Sequence, residues 1–112
     1  MPLAVLALLA ACAPDTNEED VVIRLVNLTE EPVELWVGRL SEVQPELTEP
    51  EEVSRWVVPV PCDPETGRMR GPIVLGARPE DGPIVEGVYT LPDQLCDVVE
   101  FAWEGEAFAL VL

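Results

Sequence analysis

From Val21 onward, prolines, glycines and acidic clusters interrupt the apolar pattern at about the 8–12-residue interval of a chain of short strands. No window between these breaks sustains the 3.6-residue period of an amphipathic helix. The segments alternate instead. VVIRLVNL (21–28) is β-branched and partly alternating. In VELWVGRL (33–40), Val33, Leu35 and Val37 point one way and Glu34 the other. In VSRWVVPVPC (53–62), Trp56, Val58, Val60 and Cys62 share a side, and Pro59 and Pro61 share the opposite one. Proline has no N–H to give to a neighbouring strand, so 53–62 reads as an edge. GPIVLG (71–76) recurs as GPIVEG (82–87), which predicts two short strands separated by ARPED. A solenoid would need at least about three such units. Near the C-terminus Val99, Phe101 and Trp103 share a face, as do Phe108, Leu110 and Leu112. TEEP (29–32) reads as a turn, SEVQPELTEPEE (41–52) as a long acidic loop and DPETGRMRG (63–71) as a second loop. The expectation is all-β: a small antiparallel β-sandwich of immunoglobulin-like architecture with about seven short strands. The tyrosine-corner pattern of true immunoglobulin domains is not evident.

The N-terminus has a different character. Residues 3–11 are all Leu, Ala or Val, and Cys12 follows, leading into the acidic APDTNEED. This run is far shorter than the roughly 20 residues of a membrane-spanning helix. It matches the apolar region of a signal peptide, about 7–15 residues. Leu9-Ala10-Ala11-Cys12 resembles the lipobox of bacterial lipoproteins. That resemblance implies a diacylglycerol on the Cys12 thiol, cleavage before Cys12 and, often, acylation of the new amino terminus. The organisation expected is a signal peptide over 1–11, a lipid-anchored acidic tether over 12–20 and a β-sandwich domain over 21–112. One acyl chain binds a membrane only marginally, and a doubly or triply acylated cysteine anchors stably. Ala13 stands where lipoproteins held at the inner membrane of enteric-type bacteria carry Asp. The resemblance therefore implies the cell envelope, and the outer membrane rather than the inner where both exist. One departure is that no Lys or Arg precedes the apolar run. Two other readings of the segment remain open. One is an ordinary secretory cut after Ala13, with Pro14 beyond the scissile bond; the other is a buried first strand or helix.

If Cys12 carries lipid, Cys62 and Cys96 are left as an even pair. An exported domain meets oxidising conditions, so a Cys62–Cys96 disulfide is expected, with two buried thiols as the alternative. A metal held by the two cysteines would lack a third and fourth soft ligand.

The charge narrows function further. Against 22 Asp and Glu stand 6 basic residues, all Arg, for a formal net charge of −16. Nucleic acid is disfavoured as a partner, because a phosphate backbone needs Lys and Arg to displace its counterions. Anionic head-groups repel the chain as a whole for the same reason. The chain has no His, which removes the usual neutral-pH base and His-ligated metals. It has no Lys either, which removes Schiff-base chemistry and the P-loop lysine. Paired carboxylates could serve glycoside hydrolysis, but nothing marks a pair. The expectation is a non-enzyme without cofactor, a binding or structural module for another envelope component, with a basic envelope protein or polymer as possible partner. The alternative is a calcium- or carbohydrate-binding domain. Asp63, Glu65, Glu80 and Asp81 are its candidate calcium ligands, hard oxygens in Gly/Pro-rich loops but outside any EF-hand pattern. Trp36 is its candidate sugar platform, with Trp56 and Trp103 as possible companions. Asn27-Leu28-Thr29 has the form of a glycosylation acceptor.

Overall fold

The structure is a computed structural model, and it describes residues 17–69, 71–92 and 94–111. Cys12 and the lipobox lie outside the described residues. Among the described residues eight strands form: β1 (Asn17–Asn27), β2 (Val33–Val37), β3 (Glu46–Thr48), β4 (Val53–Cys62), β5 (Pro72–Pro79), β6 (Val85–Thr90), β7 (Val98–Trp103) and β8 (Phe108–Val111). They make two four-stranded sheets, ordered β4-β1-β7-β8 (sheet A) and β3-β2-β5-β6 (sheet B). The all-β sandwich expected from the alternation is the observed fold.

Three details differ from the sequence reading. The segment 41–52 contains a short strand, β3, whose Thr48 is opposite Val33 and buried. Its one apolar residue, Leu47, faces outward and its buried residue is a threonine, so no inward apolar period is visible. β1 begins at Asn17, four residues before Val21, because Asn17–Asp20 pair with Pro59–Cys62 of β4. Backbone pairing does not need apolar side chains, so polarity hid this extension. Finally, one contact is parallel: β1 runs alongside β7 from Val22↔Val98 to Asn27↔Trp103.

The core lies between the sheets. Val21, Ile23 and Leu25 of β1 are wholly buried, and the residues between them face outward. Val33, Leu35 and Val37 of β2, Leu75 and Ala77 of β5, and Val99, Phe101 and Trp103 of β7 complete the same cluster. Tyr89 of β6 crosses to sheet A. It packs edge-on against Phe101 at 6.0 Å and Phe108 at 5.7 Å, and its hydroxyl accepts the Phe108 N–H at 3.2 Å. β4 is an edge strand, as its prolines require, with Val60 and Cys62 inward and Pro59 and Pro61 exposed.

Cys62 and Cys96 are joined by a disulfide with Cα atoms 6.4 Å apart. It fastens the end of β4 to the segment before β7. Bridges Cys62↔Met69 and Arg68↔Leu95 knit the two flanking loops into the same corner.

Candidate functional site

Strand direction sorts the loops onto two ends. The turns 28–32, 49–52, 80–84 and 104–107 meet at one end, which will be called the acidic end. The start of β1, the loops 38–45 and 63–71, and the segment 91–97 meet at the other, the stapled end. The acidic-end turns carry Glu30, Glu31, Glu49, Glu51, Glu52, Glu80, Asp81, Glu104 and Glu106, all exposed, and contain no Arg. Arg39 and Arg68 lie at the stapled end.

Asn27 builds the acidic end. It is wholly buried at the end of β1, and its amide makes four hydrogen bonds. Nδ2 donates to the carbonyls of Glu31 at 2.8 Å and Thr48 at 2.9 Å. Oδ1 accepts the Thr29 N–H at 2.9 Å and the Thr29 hydroxyl at 2.6 Å. The Asn27 backbone also reaches the next turn, donating to Glu52 O at 3.0 Å and accepting from Glu51 N at 2.8 Å. One residue thus locks two acidic turns together. This explains the Asn-Leu-Thr triplet as a structural turn, with both amide hydrogens already donated in the folded state.

The neighbouring turn stores strain. Glu52 N–H donates to Glu49 O at 3.0 Å, with Pro50 and Glu51 between them. Glu51 has φ of 68°, the only non-glycine with positive φ among the described residues. That left-handed position of a Pro-containing turn normally belongs to Gly or Asn. An L side chain there costs roughly 1–2 kcal/mol.

Shallow clefts surround Pro79 at the same end. One of about 310 Å³ lies between Glu30, Glu31, Trp103 and Gly105. A second, about 440 Å³, is bounded by Glu31, Asp81 and Glu106. A third of about 500 Å³ lies over the outer face of sheet B, beside Glu34, Leu47, Arg78 and Glu80. Arg78 grips Glu34 there through two bonds, Nε to Oε1 at 3.0 Å and Nη2 to Oε2 at 2.7 Å. The guanidinium holds the Glu34 carboxyl below its ordinary range, against a smaller opposing effect of desolvation. No family model, curated protein or solved structure matches this chain.

The calcium candidates do not converge. Glu80 and Asp81 stand at the acidic end, Asp63 and Glu65 at the stapled end, with the strand length between them. Asp63 is occupied locally, its Oδ1 accepting the Glu65 N–H at 2.8 Å. Among the described residues, the one group of three potential metal ligands is Glu19, Cys62 and Cys96, and both of its sulfurs are in the disulfide.

Trp36 is not a sugar platform. It lies on the outer face of sheet B, opposite Gly76, yet none of it is exposed. Its ring lies flat across Gly76, where a Cβ would overlap the indole. The Nε1–H donates to Glu86 Oε2 at 3.1 Å, and the Leu40 N–H reaches the same oxygen at 3.2 Å. Glu86 therefore ties the Nε1 edge of the indole to the 38–45 loop. Trp56 and Trp103 point into the core from sheet A, so the three indoles share no face.

The sequence shows each acidic turn but not their gathering at one end. That depends on the direction of eight strands, which spacing does not reveal. Asn27 carries a weak local signal, an Asn two residues before Thr at the end of a strand. Such a residue favours a turn held by its own side chain.

Proposed function

We propose that this chain is a lipid-anchored, non-catalytic binding module of a bacterial cell envelope, and that its acidic end docks a basic partner. The observation that carries the reading is the collection of nine exposed carboxylates, without an Arg, on four adjoining turns. Like charges gathered on one surface raise a negative potential that speeds encounter with a positively charged surface. The clefts around Pro79 offer carboxylate-lined hollows to Arg or Lys side chains of that partner. Glu51 supports the same reading. A carboxylate occupies a backbone position that glycine would fill with less strain, as happens where function outweighs local stability. The lipobox-like Leu9-Ala10-Ala11-Cys12 supports the anchor, and the absence of His and Lys supports a role in binding rather than catalysis.

The test compares two triple variants of the mature protein with equal loss of charge. In one, Glu49, Glu51 and Glu52 become Gln. In the other, Glu18 and Glu19 become Gln and Asp20 becomes Asn, all at the stapled end. Association with an envelope protein captured from detergent-solubilised membranes is followed at rising salt. The first variant should slow association markedly and flatten its salt dependence, and the second should do so far less. Equal effects, a salt-independent affinity, or a turnover abolished by replacing one carboxylate would overturn the proposal.

A further inference from the structure

We infer that the outer face of sheet A is a membrane-contact surface, on which the sandwich lies flat once Cys12 is acylated. This rests on the lipid-anchor reading above.

The face is built by register. Val57, Val22 and Val98 lie side by side across β4, β1 and β7. Arg55, Arg24, Glu100 and Val111 form the next row, across all four strands. Val57, Val98 and Val111 are 66%, 40% and 41% exposed, so the apolar part of this sheet face is open. Exposed valines on several adjacent strands form a continuous patch rather than the scattered apolar residues of an ordinary surface.

Two independent features point to a lipid surface as the occupant. The first is charge. Where the face is four strands wide it carries two Arg and one Glu, with Arg24 paired to Glu100 at 3.4 Å. The acidic end is wholly negative, and the outer face of sheet B carries Glu34, Glu86 and Arg78. Glu18 and Asp20 share the sheet A face only beyond the start of β7, toward the tether. Arg stems can lie along apolar surface while their heads reach lipid phosphates. The second is where the chain outside the structure ends. β1 is an inner strand of sheet A, and only Ala13, Pro14, Asp15 and Thr16 separate Cys12 from it. Five backbone steps span at most roughly 18 Å. The lipid is therefore attached within roughly 18 Å of the margin of this sheet, which holds the domain beside the membrane. Lying on sheet A puts valines and arginines against the head-groups and directs the acidic end along the membrane plane. Standing on the stapled end would instead lift these valines and arginines away from the head-groups, while Glu18 and Asp20, at the tether end of the face, meet that layer in either pose.

The experiment uses the mature acylated protein in vesicles of phosphatidylcholine with a minority of phosphatidylglycerol, with and without brominated acyl chains. Val57→Trp places a probe on the proposed contact face. Val88→Trp, at a 71% exposed position on the opposite outer face, is its control. Sheets pack about 10 Å apart, so the two probes differ in depth by roughly 20 Å once both side-chain layers are included. Bromolipid quenching beyond that of the unsubstituted protein should be several-fold stronger at 57 than at 88. Val111→Trp should behave like Val57→Trp, and it replaces that variant if melting shows that Val57→Trp is misfolded. Equal quenching at both faces, or stronger quenching at 88, would overturn the orientation while leaving the anchor intact. Mass spectrometry showing no acyl group on Cys12, or failure of the protein to float with vesicles, would overturn the anchor and the orientation with it.

Discussion

Replacing Asn27 with Ala should destabilise the domain by about 3–4 kcal/mol, chiefly by stranding the Thr48 carbonyl. Four side-chain hydrogen bonds disappear together, but they are not equal. The Thr48 acceptor is buried, and a buried polar group left without a partner costs about 1–3 kcal/mol. The Glu31 and Thr29 groups are nearer the surface, where water replaces part of what is lost, so each adds about 0.5–1 kcal/mol. For a domain of this size each kcal/mol lowers the melting temperature by roughly 4–8 °C. Urea unfolding followed by Trp fluorescence measures the difference directly. A loss below about 1 kcal/mol would refute the argument, because it would show that water satisfies the site. Asn27→Asp separates donor from shape. It keeps the two acceptor bonds to Thr29 and turns the donor into a second oxygen facing two carbonyls. Burial and those carbonyls raise the folded-state pKa of the new carboxyl above the unfolded value of about 3.9. The folded variant then binds more protons than the unfolded one, so its deficit relative to wild type should be smallest below pH about 4. The deficit should grow as pH rises through the raised pKa. A deficit that does not change with pH would remove the donor from the explanation.

The Cys62–Cys96 bond closes a loop with a sequence separation of 34. Replacing both cysteines by Ala should cost roughly 3–4 kcal/mol in the chain-entropy model. Thiol titration of the unfolded, unreduced protein lacking Cys12 should find no free thiol. Gly76→Ala should be severely destabilising, by about 3 kcal/mol or more, because the added methyl overlaps the buried Trp36 ring. Trp36→Ala should also destabilise, but adding Gly76→Ala to it should cost far less than Gly76→Ala alone; full additivity would contradict the stacked geometry. Arg78→Met removes the partner that lowers the Glu34 pKa. The pair's contribution is present above the unfolded Glu value of about 4.3 and is lost as pH falls through the lower folded value. The stability gap between Arg78→Met and wild type, small because water still reaches both half-buried side chains, should therefore be open at pH 6 and closed near pH 2; a gap unchanged across that range would refute the assignment.

What the sequence made legible was the set of facts carried by side-chain alternation. Val33, Leu35 and Val37, and likewise Val99, Phe101 and Trp103, announce their inward face by spacing alone, and the structure buries all six. Pro59 and Pro61 announce an edge because a missing N–H has a fixed geometric meaning. Trp36 was illegible for the opposite reason. Its outward register is what the alternation predicts, but its ring lies down over Gly76 with its Nε1–H bonded to Glu86, which the Leu40 N–H also reaches. Glu46–Thr48 and Asn17–Asp20 were missed because strand pairing there is between backbones: Asn17–Asp20 has no apolar residue, and the one apolar residue of Glu46–Thr48, Leu47, faces outward. The acidic end required the third dimension, since its nine carboxylates come from turns spread between residues 30 and 106.

The parallel contact between β1 and β7 has a consequence for the order of assembly. β1 is the first of the described strands, yet one of its two edges must wait for a strand whose first paired residue is Val98. Until then, a row of unpaired amides and carbonyls lies open beside Val21, Ile23 and Leu25, which is a template for pairing between chains. Contacts this distant in sequence make folding slow, because a long loop must close before they give any return. The disulfide shortens that wait. β4 pairs with the other edge of β1, and Cys62 at its end holds Cys96, two residues before Val98, next to the open edge. The first hydrogen bond of the new ladder, Val22 N–H to Asp97 O at 3.0 Å, lies immediately beyond the bridge. Early oxidation would thus turn a distant search into a local one, and a chain oxidised late would spend that interval with its innermost strand exposed to its neighbours.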